Sequence, residues 1–168
     1  PGYIDVLTRE GLLGGGQPPE AHDDPGAIRR DFDRLFVVPS GQMIPPFEAA
    51  YAGRTMTKDG TPAFGTLNAA CTIDVAKVYQ HFSFTAPERY SHLIDHAGVE
   101  LMFLKCLRTG ELDAAARENP ADAGKWAEWM TRFIRDHAGT WLPCLGADIA
   151  HAAQTEFYRF HGRMLNQL

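Results

Sequence analysis

His92, His96 and Glu100 follow one another at intervals of four residues. On a helix, positions i, i+4 and i+8 share one face, so two imidazoles and a carboxylate would converge there. Zinc accepts such ligands. However, the recognised zinc-enzyme pattern carries a glutamate inside the HxxxH, which is missing here, and no fourth ligand is identifiable. The first reading is therefore a polar helix face with hydrogen-bonded histidines. A metal-dependent enzyme using His92, His96 and Glu100 is the lesser alternative.

Nucleophilic catalysis has less support. There is no GxSxG elbow, and Ser40, Ser83 and Ser91 have no context that suggests an activating base. Cys71, Cys106 and Cys144 lie far apart with no CxxC pair, against a zinc ribbon or a thioredoxin-type site. They are expected to be reduced thiols, wholly or partly in a helical core. Gly14, Gly15 and Gly16 lack the following GxxxxGK[ST] of a phosphate loop and read as a flexible loop. No catalytic residue, metal or cofactor is assigned.

The elements that must position any site come next. The chain has 168 residues, 45% hydrophobic and 22% charged, enough for one globular domain. A net charge of -5 counts against a nucleic-acid binder, and no basic recognition helix suggests a transcription factor. No run of about 18 apolar residues predicts a membrane span. The start, Pro1-Gly2-Tyr3-Ile4-Asp5, lacks the basic and apolar regions of a signal peptide, so a cytoplasmic location is expected. It also lacks an initiator Met, which is compatible with an incomplete N-terminus. Residues 1–26 are loop-rich, with Gly and Pro dense from Gly11 onward.

Ile28, Phe32, Leu35 and Phe36 fall on one helix face, ended by Pro39. Pro45-Pro46 forces an extended entry to a short helix from Phe47 to about Ala52, closed by Gly53. Thr61-Pro62 predicts a helix start, followed by a stripe of Phe64, Leu67, Cys71, Val75, Val78 and Phe82. The stretch Thr85 to Pro87 is expected to open a helix bearing Tyr90, Leu93, Ile94, Ala97, Leu101 and Leu104, with Gly110 beyond its end. Asn119-Pro120 predicts another, with Trp126, Trp129, Met130, Phe133, Ile134 and His137 on its apolar stripe and Gly139 as its end. The two tryptophans read as core rather than groove. Thr140 then caps a last helix running to about Met164. No convincing alternating strand pattern appears. The expectation is all-α: a single-domain bundle of about five to seven helices over 1–168.

Four segments in order resemble one known family. Asp31-Phe-Asp-Arg-Leu35-Phe36-Val-Val-Pro39 is similar to an aromatic-x-x-Leu-Phe segment, and Pro45-Pro46-Phe47-Glu48-Ala-Ala-Tyr51 to a Pro-Pro-aromatic-Glu segment. Ile94-Asp95-His96-Ala-Gly-Val-Glu100-Leu101-Met-Phe103-Leu104 resembles the signature Asp-His-x-x-x-Glu-Leu-x-Phe-Met. Phe133-Ile-Arg-Asp-His137-Ala-Gly-Thr-Trp141-Leu-Pro143 resembles Phe-x-x-x-His-x-x-x-Trp-x-Pro, with Phe157-Tyr158 at the place of a Phe-Tyr pair. Together, over about residues 28 to 165, they resemble the TorD/DmsD/NarJ-like family of redox-enzyme maturation chaperones. Ile94 replaces the usual proline, Leu104 the usual Met, and the N-terminal helix is short or missing.

The resemblance implies a TorD-like all-α chaperone, not an enzyme. It would bind the twin-arginine signal peptide and/or the apo form of a molybdopterin oxidoreductase, delaying export until the cofactor is inserted. It implies a monomer or a domain-swapped dimer, with no nucleic-acid partner and no stable membrane insertion. Carboxylates can grip the signal's guanidinium groups, and a helix groove its apolar stretch. Asp95, His96 and Glu100 are expected at or beside that site, Asp95 and His96 as exposed groups, with Phe47, Glu48 and Tyr51 as another wall. The opposing expectation is that His96 and Glu100 brace helix ends from within. His137, Trp141 and Pro143 are expected at a junction between two helices. The alternative within the resemblance is a nitrate-reductase-delta-type assembly chaperone for a membrane-anchored enzyme.

Overall fold

A computed structural model describes residues 23–39 and 43–168. The expected loop over residues 1–22 lies outside the described residues, as does Ser40. Contacts gather the described residues into two compact units, one from those between Asp23 and Pro46 together with Leu142–Leu168, the other Phe47–Trp141.

In the first unit, helix α1 spans Pro25–Phe32. Pro25 and Gly26 therefore belong to a helix, not to the expected loop. Asp24 Oδ2 accepts the Ala27 N–H at 3.0 Å, and proline stands at the first helical position, where a missing N–H is harmless. A π-helical turn, Asp33–Val37, continues it and buries Leu35 completely. The C-terminal part holds the end of a helix and one further helix, Glu156–Leu165. The sequence predicts one helix from Thr140 to Met164. The structure breaks it at Ala153–Thr155, because the carboxylate of Asp31 takes the backbone N–H groups of Gln154 and Thr155 at 2.9 and 2.8 Å and the Thr155 hydroxyl at 2.8 Å. Gly146 and Gly162 let the two helices touch backbone to backbone: a Cβ on Gly146 would lie 2.5 Å from the Gly162 oxygen. Leu142, Leu145, Ile149 and Met164 are buried there.

In the second unit, Phe47 is extended and α2 follows over Glu48–Ala52, with Gly53 at its C-cap as expected. Next comes a small antiparallel hairpin, β1 Thr55–Met56 with β2 Pro62–Ala63, where the sequence predicts a helix start at Thr61-Pro62. Local hydrogen bonds win over the proline signal. Thr57 Oγ1 donates to the Thr61 carbonyl at 2.7 Å, and Gly60 turns the chain at φ 82. Helix α3 begins only at Ala70 and ends at His81, so Phe64 and Leu67 precede it.

Helix α4 spans Ala97–Ala116. The expected start near Pro87 yields only a 3₁₀ turn, Glu88–Tyr90, and Gly110 lies inside α4 rather than beyond it. Helix α5 spans Pro120–Phe133 with the expected Asn119 cap, whose Oδ1 accepts the Asp122 N–H at 3.1 Å. The pairing of α4 with α5 is the most extensive in the unit. Gly110 permits it, since a Cβ there would stand 2.6 Å from the Trp126 ring. Trp126 and Trp129 are only half-buried, while Phe133 is buried against Phe103, ring centroids 4.8 Å apart. Gly139 does not stop the chain's helical path: a π turn, Ile134–Ala138, leads directly into α6, Gly139–Ala152. Helix α7 is the Glu156–Leu165 segment already described. The fold is all-α apart from the two-residue strands. Among the described residues, no helix is long and apolar enough to cross a membrane.

Candidate functional site

The metal reading fails at its premise. His92 lies in an exposed turn before α4, so His92, His96 and Glu100 do not share a helix face. Among the described residues no group of three His, Cys, Asp or Glu side chains could hold a metal ion.

The motif segments nevertheless meet. Phe47 and His96 form an isolated antiparallel bridge, with their rings edge to face at 5.2 Å. The Glu48 N–H donates to the Asp95 carbonyl at 2.9 Å. Asp95 Oδ2 accepts the Ala49 N–H at 2.9 Å and the Thr72 hydroxyl at 3.1 Å. One carboxylate thus fixes the first turn of α2 and ties it to α3, supplying an acceptor for amides that the helix cannot pair itself. Asp95 is buried, against the expectation of an exposed group.

His96 caps α4: its Nδ1 accepts the Gly98 N–H at 3.0 Å. Burial pushes its pKa below the ordinary histidine value, opposed by the charge of Asp95. A neutral ring suits an acceptor role. Tyr90 stacks on the ring at 6.5 Å, and Arg89 lies over Tyr90 at 4.8 Å. Tyr90 also lines a mostly apolar cleft of about 250 Å³ with Tyr79, Phe84, Ile94 and Val99.

Behind this surface lies a carboxyl pair. Glu100 is 0% exposed, and its Oε2 accepts the Trp141 indole N–H at 3.1 Å. Burial, then the neighbouring Glu48 charge, raises the Glu100 pKa well above the usual carboxylate range. Oε1 has no hydrogen-bond partner among the described residues. Glu48 is 4% exposed and lies 3.2 and 3.3 Å, through its two oxygens, from His137 Nδ1. Tyr51 packs on Trp141 at 5.5 Å and on Phe64 at 5.3 Å, with Arg54 over its ring at 5.4 Å.

All six residues expected at the site come together, but in two layers. Phe47 and His96 are partly exposed, whereas Glu48, Tyr51, Asp95 and Glu100 are buried. The bracing role expected of His96 is seen at the start of α4, whereas Glu100 bonds the Trp141 indole rather than a helix end. Thr72 was not legible as a partner of Asp95, since a lone threonine on an apolar stripe carries no signal. His137 lies in the π turn that joins α5 to α6, and Trp141 and Pro143 in the first turns of α6, so all three stand at the expected junction between two helices.

The arrangement defines an all-α protein in which a cluster of buried polar side chains holds its own backbone in place. A family model described as nitrate reductase delta subunit matches residues 10–145, and the chain belongs to that family. It is a family of redox-enzyme maturation chaperones of the NarJ/TorD type, as the four motifs suggested. No curated protein and no solved structure matches the chain.

Proposed function

We propose that this protein is a cytoplasmic chaperone that binds the twin-arginine signal peptide and/or the apo form of a molybdopterin oxidoreductase, and holds it back from export until its cofactor is inserted. The observation that supports this most is the Phe47–His96 bridge, where two motif segments surface together beside the cleft walled by Tyr90 and Ile94. An apolar cleft next to a polar rim suits a peptide that joins apolar and charged parts. Phe47 and His96 make the contact. Asp95, Glu48, Glu100 and Tyr51 hold the backbone that presents them.

The test is calorimetric titration with a synthetic twin-arginine peptide, its Lys-Lys counterpart and an apo-molybdoenzyme. His96→Ala and Phe47→Ala should each weaken binding about tenfold, equivalent to about 1.4 kcal/mol. If neither peptide nor apo-enzyme binds the wild-type protein, the reading is wrong. The matched model's description, nitrate reductase delta subunit, favours a second reading: assembly of a membrane-anchored enzyme with only a remnant leader. Equal binding of the Arg-Arg and Lys-Lys peptides, with tight binding of the apo-enzyme, would select it.

A further inference from the structure

The outer side of α4 carries a cleft of about 480 Å³. Two rows of residues four apart line it: Met102, Cys106 and Gly110 in one, Lys105, Thr109 and Asp113 in the other. Residues at this spacing form the ridges of a helix surface. Trp126 of α5 makes the far wall and lies over Gly110, where a Cβ would stand 2.6 Å from its ring. Met102, Lys105 and Cys106 are half-buried, and Thr109 and Asp113 are exposed. The Thr109 hydroxyl is used within the helix, donating to the Lys105 carbonyl at 2.9 Å, so it requires nothing from a partner.

The order of residues along each row decides what fits. Lys105 and Asp113 stand four residues on either side of Thr109, about 12 Å apart along the axis. That is beyond the three- or four-residue spacing at which side chains of one helix meet. Turned end for end, this row is its own complement, with opposite charges meeting at both ends. The other row has the same property in shape. Met102, long and flexible, and Gly110, which has no side chain, stand four residues on either side of Cys106. A reversed copy brings one Met102 to the Gly110 end of each cleft, beside the Trp126 ring, where a thioether packs favourably. A surface that matches its own reversed image meets the requirement of a two-fold interface, in which residue i touches j and j touches i.

We infer that this face of α4 binds a second copy of the chain, the two α4 helices running antiparallel about a two-fold axis between Cys106 and Thr109, with Lys105 of each copy paired to Asp113 of the other and Met102 of each packed beside the other's Trp126. Whole protomers pair here and no segment is exchanged, so the assembly differs from a domain-swapped dimer. It stands whether or not a client binds. The contact covers about three helical turns with charge pairs at its ends, which describes a reversible association.

The experiment is sedimentation velocity of the full chain, from micromolar to near-millimolar concentration under reducing conditions. Lys105→Glu and Asp113→Lys, taken singly, should each weaken dimer formation about tenfold, because each sets like charges together at two symmetric places. The double variant restores opposite charges across the axis and should regain the wild-type association. Within one chain the two positions do not meet, so this rescue has no intramolecular explanation. Cys106, next to the axis, gives a second readout: in a Cys144→Ser chain a short bis-maleimide should link two copies, and Cys106→Ser should abolish the link. Circular dichroism of each variant checks that the helices are kept. A wild type that stays monomeric at every concentration overturns the proposal. So does a dimer that the single charge reversals leave intact, a double variant that fails to recover, or a link that survives Cys106→Ser.

Discussion

Glu100 shows how a residue can be legible by type and not by role. Its place in the Asp-His-x-x-x-Glu segment marked it, and a carboxylate suggested a grip on a cationic peptide. The structure seals it from water beside Glu48, where burial and the Glu48 charge raise the pKa at which it releases its proton. The consequence for stability follows from proton counting. The unfolded chain releases this proton at an ordinary carboxylate pKa and the folded chain only at a higher one. Stability is therefore lost as pH rises from the unfolded value to the folded one. Glu100→Gln keeps an acceptor for the Trp141 indole and a donor toward Glu48 without a proton to lose. It should raise the urea midpoint at pH 7 and flatten this part of the pH profile. Trp141→Phe should do the reverse, costing about 1–3 kcal/mol by stripping a buried acceptor of its donor. A Gln variant less stable than wild type at pH 7 would show that Glu100 is ionised in the fold.

At the scale of elements, strong punctuation was read well and competing punctuation was not. Asn119-Pro120 and Gly53 stand where the sequence places them, because no other local bond contests them. Thr61-Pro62 lost to a hairpin turn closed by Thr57, and the apolar spacing of Tyr90, Leu93 and Ile94 belongs to a 3₁₀ turn and the loop before α4. The long C-terminal stripe concealed a break because the group that makes it, Asp31, is far away in sequence. The sequence places Gly110 beyond a helix end, and the structure makes it a contact inside α4. Gly110→Ala should destabilise by about 1–3 kcal/mol through overpacking on Trp126, despite the better helix propensity of alanine. Gly124→Ala in α5, with nothing within 4 Å, should stabilise by about 0.5–1 kcal/mol. Urea unfolding of the two variants tests the contrast, and equal shifts would remove the packing argument for Gly110.

For the whole molecule, the all-α class was legible because helical periodicity dominates the sequence even where individual boundaries fail. The buried network was only half legible: its members were named, but Asp95 was expected outside. Acid behaviour follows from another carboxylate. Burial alone would raise the Asp31 pKa, yet bonds from the Thr155 N–H, Arg34, the Thr155 hydroxyl and the Gln154 N–H hold it below the ordinary value. Its contribution is present above the unfolded carboxylate pKa and is lost as pH falls through the folded one. Asp31→Asn should cost about 3 kcal/mol at pH 7 and lessen the stability difference from wild type as the solution is acidified. An unchanged difference from pH 7 to pH 3 would detach Asp31 from acid unfolding.

The Asp31 contact also sets a timetable. Its carboxylate closes onto Gln154 and Thr155, the latter 124 positions later in the chain. During synthesis at about 5–20 residues per second, Asp31 leaves the ribosome many seconds before its partners exist. Until then, the Asp31 carboxylate has only Arg34, three residues on, as a native partner. The helices of the second unit, bounded by Phe47 and Trp141, are complete before that wait ends. A purified chain truncated before Gln154 should thus still protect the α4–α5 pair from protease while α1 is cut, and the chain that includes Gln154 and Thr155 should protect both.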